Sequence, residues 1–206
     1  MAETTKTASL DATYATKGLP PPPKVSVTTI PMAGLLVDVY GLEELQPSAP
    51  VSCLWLLHPR TRTRARMRDI ACRAIAAYNS RSPKPSHGLI ALAFDMPNHG
   101  TRLVSEAANH AWKDGNERHA IDMMGMVKGG RLDMSSLMDV VEGYLERDVK
   151  GHVCLGWSLG GHAAWQSWVC EDRLDAVVVV VGCPDFAGTY SLLAEVHDAH
   201  ICRSDE

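Results

Sequence analysis

The sequence predicts an α/β fold: a mostly parallel, doubly wound sheet with helices on both faces. Three observations carry this. Four apolar runs, at 51–57, 88–94, 152–157 and 174–183, are nearly continuous, as strands covered on both faces require. Stretches with helical spacing separate them, so consecutive strands are joined by helical crossovers. Polar and turn-forming residues follow each run, and in such sheets ligands gather beyond the carboxyl ends of the strands.

The elements follow in order. Residues 1–24 are rich in Thr, Ala, Ser and Lys and end in Pro20–Pro23, which predicts a disordered tail closing in a stiff polyproline spacer. The folded domain is expected over 25–206. "KVSVTTI" and "GLLVDVYGL" alternate and are β-branched, which predicts two strands joined at Pro31-Met32-Ala33. "VSCLWLL" is the first buried strand. In "TRTRARMRDIACRAIAAYNSR", Met67, Ile70, Ala71, Ile75 and Ala76 recur at helical spacing, and the arginines are expected on a solvated face. "GLIALAF" is the second buried strand. A helix is expected from about Glu117 to Arg147, interrupted near Gly129-Gly130; Trp112 and Met123, Met124 and Met126 either line a substrate cavity or, as the helical spacing favours, pack in the core. "HVCLGW" is the third buried strand, "LGGHAAWQSWVCE" opens a helix, "LDAVVVVVGC" is the fourth buried strand, and "TYSLLAEVHDAHI" is a final helix.

Bulk properties exclude several function classes. Hydrophobic residues make up 46% of the 206, enough for one sizeable core. A formal net charge of -4 gives no basic footprint for nucleic acid. The longest apolar runs are far too short to span a bilayer, and no N-terminal stretch resembles a secretory signal, so a cytoplasmic protein that does not engage membranes is expected. The six cysteines are scattered without a CxxC pair, which fits reduced, buried thiols. The histidines are dispersed, so no metal is expected. No Gly-x-Gly-x-x-Gly follows the first buried strand, so no dinucleotide is expected either, and no other cofactor is implied.

The chemistry concentrates at Gly156-Trp157-Ser158-Leu159-Gly160. A serine on a tight strand-to-helix turn has a crowded backbone, and residues two positions away must lack side chains. The helix that begins there turns unpaired N–H groups toward the serine. An oxyanion at Ser158 would meet the amide of Leu159, and a second donor would come from the loop after the first buried strand, from Arg60 or Thr61. Pro59 has no N–H to give. Trp157 either walls an acyl pocket or packs under the sheet.

With these pieces in place the sequence resembles an α/β-hydrolase, and within that superfamily it is similar to small fungal members. The matching pieces are "CLWLLHPRTRTRARM", "LIALAFDMPNHGTR", "NERHAIDM", "VCLGWSLGGHAAW" and "VVVVVGCPD". The resemblance implies Ser158 as nucleophile, an oxyanion hole built partly from the loop at His58–Thr61, and a structural role for His99. It also implies the chain order nucleophile, acid, histidine. The stretch after Cys183 reads as one helix and a charged tail, too short for two more strands with their helices, so a C-terminally shortened domain is expected. Asp185 follows a strand end and is the candidate acid, its alternative being a turn or N-cap residue. His197 and His200 are the candidate bases, their alternative being an exposed helix. His162, in the helix after the elbow, is expected to face away from the site.

Two functions are therefore weighed. One is a serine hydrolase acting on a small ester, thioester or related acyl substrate through an acyl-enzyme at Ser158. The other is an impaired, shortened α/β-hydrolase that serves as a binding or accessory protein. Its open sheet edge would be covered by a partner, in the simplest case a second copy.

Overall fold

The computed structural model describes residues 18–83, 85–185 and 188. Six strands form one sheet: β1 (Val27–Met32), β2 (Leu35–Tyr40), β3 (Val51–Leu57), β4 (Gly88–Phe94), β5 (Val149–Trp157) and β6 (Leu174–Val180). Their order across the sheet is β1-β2-β4-β3-β5-β6. The β1–β2 and β2–β4 pairs are antiparallel, whereas β4, β3, β5 and β6 run parallel. Three α-helices accompany them: α1 (Arg68–Asn79), α2 (His119–Leu145) and α3 (Leu159–Cys170).

The helices divide between the two faces, and two cores result. On one face Tyr40, Leu54, Leu56, Ala91 and Ala93 meet Met67, Ala71 and Ile75 of the α1 segment. On the other, Cys53, Trp55, Leu57, Ile90, Leu92 and Phe94 meet Met126, Met134 and Leu137 of α2 and Ala163 and Ala164 of α3. Alternate residues of β3 and β4 thus enter opposite cores. That is why their sequences lack the polar alternation of a half-exposed strand.

Four local expectations are corrected. β1 continues through Pro31 to Met32, and the turn falls at Ala33 and Gly34, both at positive φ (47° and 79°). Pro31 is tolerated because β1 is an outer strand, where a missing N–H breaks no ladder. The helix expected to break at Gly129-Gly130 is continuous. Those glycines make room for the loop after β4: a Cβ on Gly129 would stand 2.8 Å from Pro97 Cγ, and one on Gly130 would run into the Met96 side chain. The valine run is not a buried strand. β6 is the outermost described strand, and Val178, Val180 and Val181 are exposed. Among the arginines expected on a solvated face, Arg68 is exposed, but Arg64 is largely buried and paired with Asp38 and Asp95.

At the N-terminal side, the Pro20 carbonyl accepts a bond from Arg73 Nη2 (2.6 Å), which ties the polyproline run to α1. Residues 1–17 of the expected tail, the final helix, His197 and His200 lie outside the described residues. Among the described residues no helix is long and apolar enough to cross a membrane.

Candidate active site

The parallel strands end together on one rim. Leu57 of β3 is in register with Gly156 of β5, and Trp157 of β5 with Val180 of β6. Ser158 therefore follows β5 on this rim, between the loops after β3 and β6. Its amide donates to the Val180 carbonyl (2.8 Å), and its own carbonyl accepts the His162 amide (3.0 Å) as α3 begins. One residue closes the strand ladder and opens the helix. The cost is a backbone at φ 55°, ψ -110°, a region that residues with side chains avoid.

The flanking glycines follow from this turn. A Cβ on Gly156 would collide with the Gly160 carbonyl, and a Cβ on Gly160 with the Leu57 carbonyl. These are backbone atoms that cannot swing aside. Gly161 is pressed too, its Cβ position 2.9 Å from the Val181 carbonyl oxygen.

Strain recurs along the rim. Each of the four parallel strands is followed by a non-glycine residue at positive φ: Thr61 (61°) after β3, Asn98 (59°) after β4, Ser158 (55°) after β5 and Val181 (56°) after β6. Such residues persist only where the surroundings over-determine them, and they gather at functional sites.

Two amides bear on the expected oxyanion hole. Leu159 is the first residue of α3, so its N–H has no acceptor within the helix. In the loop after β3, the Thr61 amide donates to His99 Nε2 (3.0 Å). The Arg60 amide makes no hydrogen bond among the described residues. The Arg60 side chain turns outward to the Asn109 carbonyl, and Asn109 Nδ2 in turn donates to the Asn98 carbonyl (2.8 Å).

The two loops are bound further by histidines. His58 Nε2 accepts the Met96 amide (2.9 Å) while its Nδ1–H donates to the Pro59 carbonyl (2.8 Å). His99 Nδ1–H donates to the Pro97 carbonyl (2.8 Å). An imidazole that accepts at Nε2 and donates at Nδ1 is neutral. Burial pushes both below the ordinary histidine range, His58 to about 4. Beneath them Asp95 accepts the amides of Arg64 (2.9 Å) and Thr101 (3.0 Å) and the Thr101 hydroxyl (2.9 Å). Gly100, at φ 53°, lies so close that a Cβ there would strike the Asp95 carboxylate.

Trp157 lies under Arg66, whose guanidinium carbon is 5.1 Å from the ring centroid, so the ring packs against the segment leading into α1. His162 faces the loop after β6, where its Nδ1 accepts the Cys183 amide (3.2 Å). Asp185, in that same loop, accepts the Gly188 amide at Oδ1 (2.9 Å), the bond a helix-capping aspartate makes. Met123 and Met126 lie in the core, and Trp112 meets His119 edge to face at 4.8 Å. Beside the Thr61 loop lies a cavity of about 410 Å³, lined by Thr61, Thr63, His99, Leu103, Glu106 and Asn109 among others. Among the described residues no group of three His, Cys, Asp or Glu side chains is placed to hold a metal ion.

Sequence reasoning missed His58 as a partner of His99. The available signal was position, since each histidine follows a buried strand and the two strands are neighbours.

No family model matches the chain, and no curated protein matches it. Solved structures do. TT1662 from Thermus thermophilus superposes with a TM-score of 0.54 at 22% identity, covering 77% of this chain and 57% of that one. Est1E from Butyrivibrio proteoclasticus, solved with ferulic acid, gives 0.46 at 15%, covering 76% and 53%. An epoxide hydrolase mutant from Vigna radiata gives 0.42 at 14%, covering 76% and 38%. The chain thus spans about half the length of the solved structures it matches, or less. Its strand order, its helices on both faces and its likeness to TT1662 make this an α/β-hydrolase fold.

Proposed function

We propose that this chain is a serine hydrolase that cleaves a small ester, thioester or related acyl substrate through an acyl-enzyme at Ser158. The observation that carries the reading is the Ser158 turn: a strained serine between β5 and α3, with glycines where side chains would collide. Ser158 Oγ attacks the acyl carbonyl as its proton passes to a base. The amides of Leu159 and Arg60 stabilise the oxyanion. The base returns the proton to the departing alcohol or thiol, and water then releases the acid by the same route. Asp185 stands as the acid in this reading, and His197 or His200 as the base. The Cys183–Asp185 loop follows β6, the strand beside Ser158, which supports that placement.

The second reading, a binding or accessory protein, is favoured by one observation: the exposed valines of β6, an apolar strand at the edge of the described sheet. Labelling of the folded chain with a fluorophosphonate, with the adduct located by mass spectrometry, separates the two. The hydrolase reading expects modification at Ser158 that Ser158→Ala abolishes. A cooperatively melting protein that takes no label contradicts it and leaves the accessory reading.

A further inference from the structure

The loops after β3 and β4 hold each other through one histidine apiece. His58, on the β3 loop, accepts an amide of the β4 loop, that of Met96 (2.9 Å). His99, on the β4 loop, accepts an amide of the β3 loop, that of Thr61 (3.0 Å). The rings meet edge to face with centroids 5.2 Å apart, and both are essentially inaccessible to solvent (0% and 2% exposed). Each ring is turned by a second bond, from Nδ1–H to a carbonyl of its own loop, so neither can rotate without losing two buried bonds.

The consequence falls on the residue next to Thr61. The loop after β3, the strand paired with β5 up to Leu57 and Gly156, offers two consecutive amides, those of Arg60 and Thr61. A Thr61 amide bonded to His99 points back toward the β4 loop, and Thr61 is held at φ 61°. The Arg60 amide makes no hydrogen bond among the described residues, so of the two it is the one left to donate. We infer that His58 and His99 form a reciprocal clasp, and that His99 is a positioning residue which, by holding the Thr61 amide, selects the Arg60 amide as the second oxyanion donor. This rests on the reading of Ser158 as nucleophile. The clasp touches neither substrate nor Ser158. It acts through backbone placement, as a fixed donor must be in place before charge develops on the substrate.

Asp95, beneath both loops, serves the same placement. The Asp95 carboxylate gathers the Arg64 amide, three residues after Thr61, and the Thr101 amide, two residues after His99. Both sides of the clasp are anchored to one carboxylate.

The test uses the whole chain and p-nitrophenyl acetate as probe. His99→Phe keeps a ring but has no acceptor for the Thr61 amide. His99→Gln can place its carbonyl oxygen near the position of Nε2. We expect His99→Phe to lower kcat on the order of 100-fold with KM changed by less than about threefold, as for loss or misplacement of an oxyanion donor. His99→Gln should recover most of that loss. Equal losses in both variants, or a loss carried by KM, would overturn the positioning role. Because His99→Phe can fail to fold, the unaltered protein supplies a second readout. Imidazole nitrogen NMR should show both histidines protonated at Nδ1 at neutral pH, and the Thr61 amide should exchange far more slowly than an exposed loop amide. A proton on His99 Nε2, or fast exchange at Thr61, overturns the clasp whether or not the chain hydrolyses esters. If instead Ser158→Ala leaves hydrolysis unchanged while the NMR signature holds, the nucleophile assignment has failed, and the role of His99 in that reaction fails with it.

Discussion

Arg64 and Asp95 are joined twice, the Arg64 amide to Oδ1 at 2.9 Å and the guanidinium Nη1 to Oδ2 at 2.5 Å. The carboxylate is almost wholly buried. Burial alone would favour its neutral form. The amides of Arg64 and Thr101, the Thr101 hydroxyl and the Arg64 charge outweigh that and hold Asp95 below the usual carboxylate range. Asp95→Asn exchanges a full acceptor set for one that is half donor. It should cost about 3 kcal/mol, as for breaking a buried ion pair from one side, read from the urea midpoint. An unchanged midpoint would show that the bonds contribute nothing net.

The two buried histidines make stability depend on mild acid. Both have folded values below the unfolded one, so the unfolded chain binds the extra protons. Their contribution is complete above about pH 6.5, declines as pH falls through that value, and levels off for His58 near pH 4. Asp95 and His99 are the ionisable groups facing His58, and His58, Asp95 and Arg60 those facing His99. The slope should approach about 1.4 kcal/mol per pH unit for His58 between roughly pH 6 and 5, with His99 adding in the same direction. Urea midpoints at pH 5, 6 and 7 measure it, and His58→Gln should flatten the curve.

The same substitution should have opposite signs at two glycines. Gly160→Ala places a methyl against the Leu57 backbone carbonyl and should abolish the cooperative fold or lower Tm by more than 10 °C, taking roughly 3 kcal/mol or more as the cost. Gly143→Ala, on the exposed side of α2 with nothing within 4 Å of the new methyl, should stabilise by about 0.5–1 kcal/mol. Thermal melts of the two variants decide the matter together.

Thiol reactivity should follow burial. Cys53 and Cys154 are fully buried, which pushes both thiols up to about 12, whereas Cys170 is exposed. Brief treatment with iodoacetamide at pH 8 should label Cys170 and leave Cys53 and Cys154 unmodified until the chain is unfolded. Early labelling of Cys154 would mean that β5 opens in the native state.

The sequence exposes its architecture where one force dominates. The runs at 51–57 and 88–94 are apolar because β3 and β4 are covered on both faces, and the pattern says so directly. The glycines around Ser158 are equally legible, since a tight turn has few ways to be built. The valine run misleads because β-branched residues suit an outer strand as well as an inner one, and burial depends on what lies beside it. Gly129-Gly130 misleads for a similar reason: local propensity argues for a break, but the packing of Met96 and Pro97 into the gap decides. The bond from Thr61 to His99 spans 38 residues and leaves no periodic trace, so only the place of each histidine after a buried strand points to it. Likewise "TRTRARMR" reads as solvated charge until Asp38 and Asp95 are brought under it.

The left-handed residues at the four strand ends also mark where this chain forgoes thermostability. A sequence shaped by heat resistance alone would place glycine at Val181, relieving roughly 1–2 kcal/mol less what the more flexible unfolded chain takes back, but would keep Asn98, whose side chain bonds Val104 and Ser105. An engineer raising the melting temperature would find Val181 a rewarding position to alter, at the risk of disturbing the loop it shapes. The rim is thus where selection for durability and selection for what the rim does pull in opposite directions.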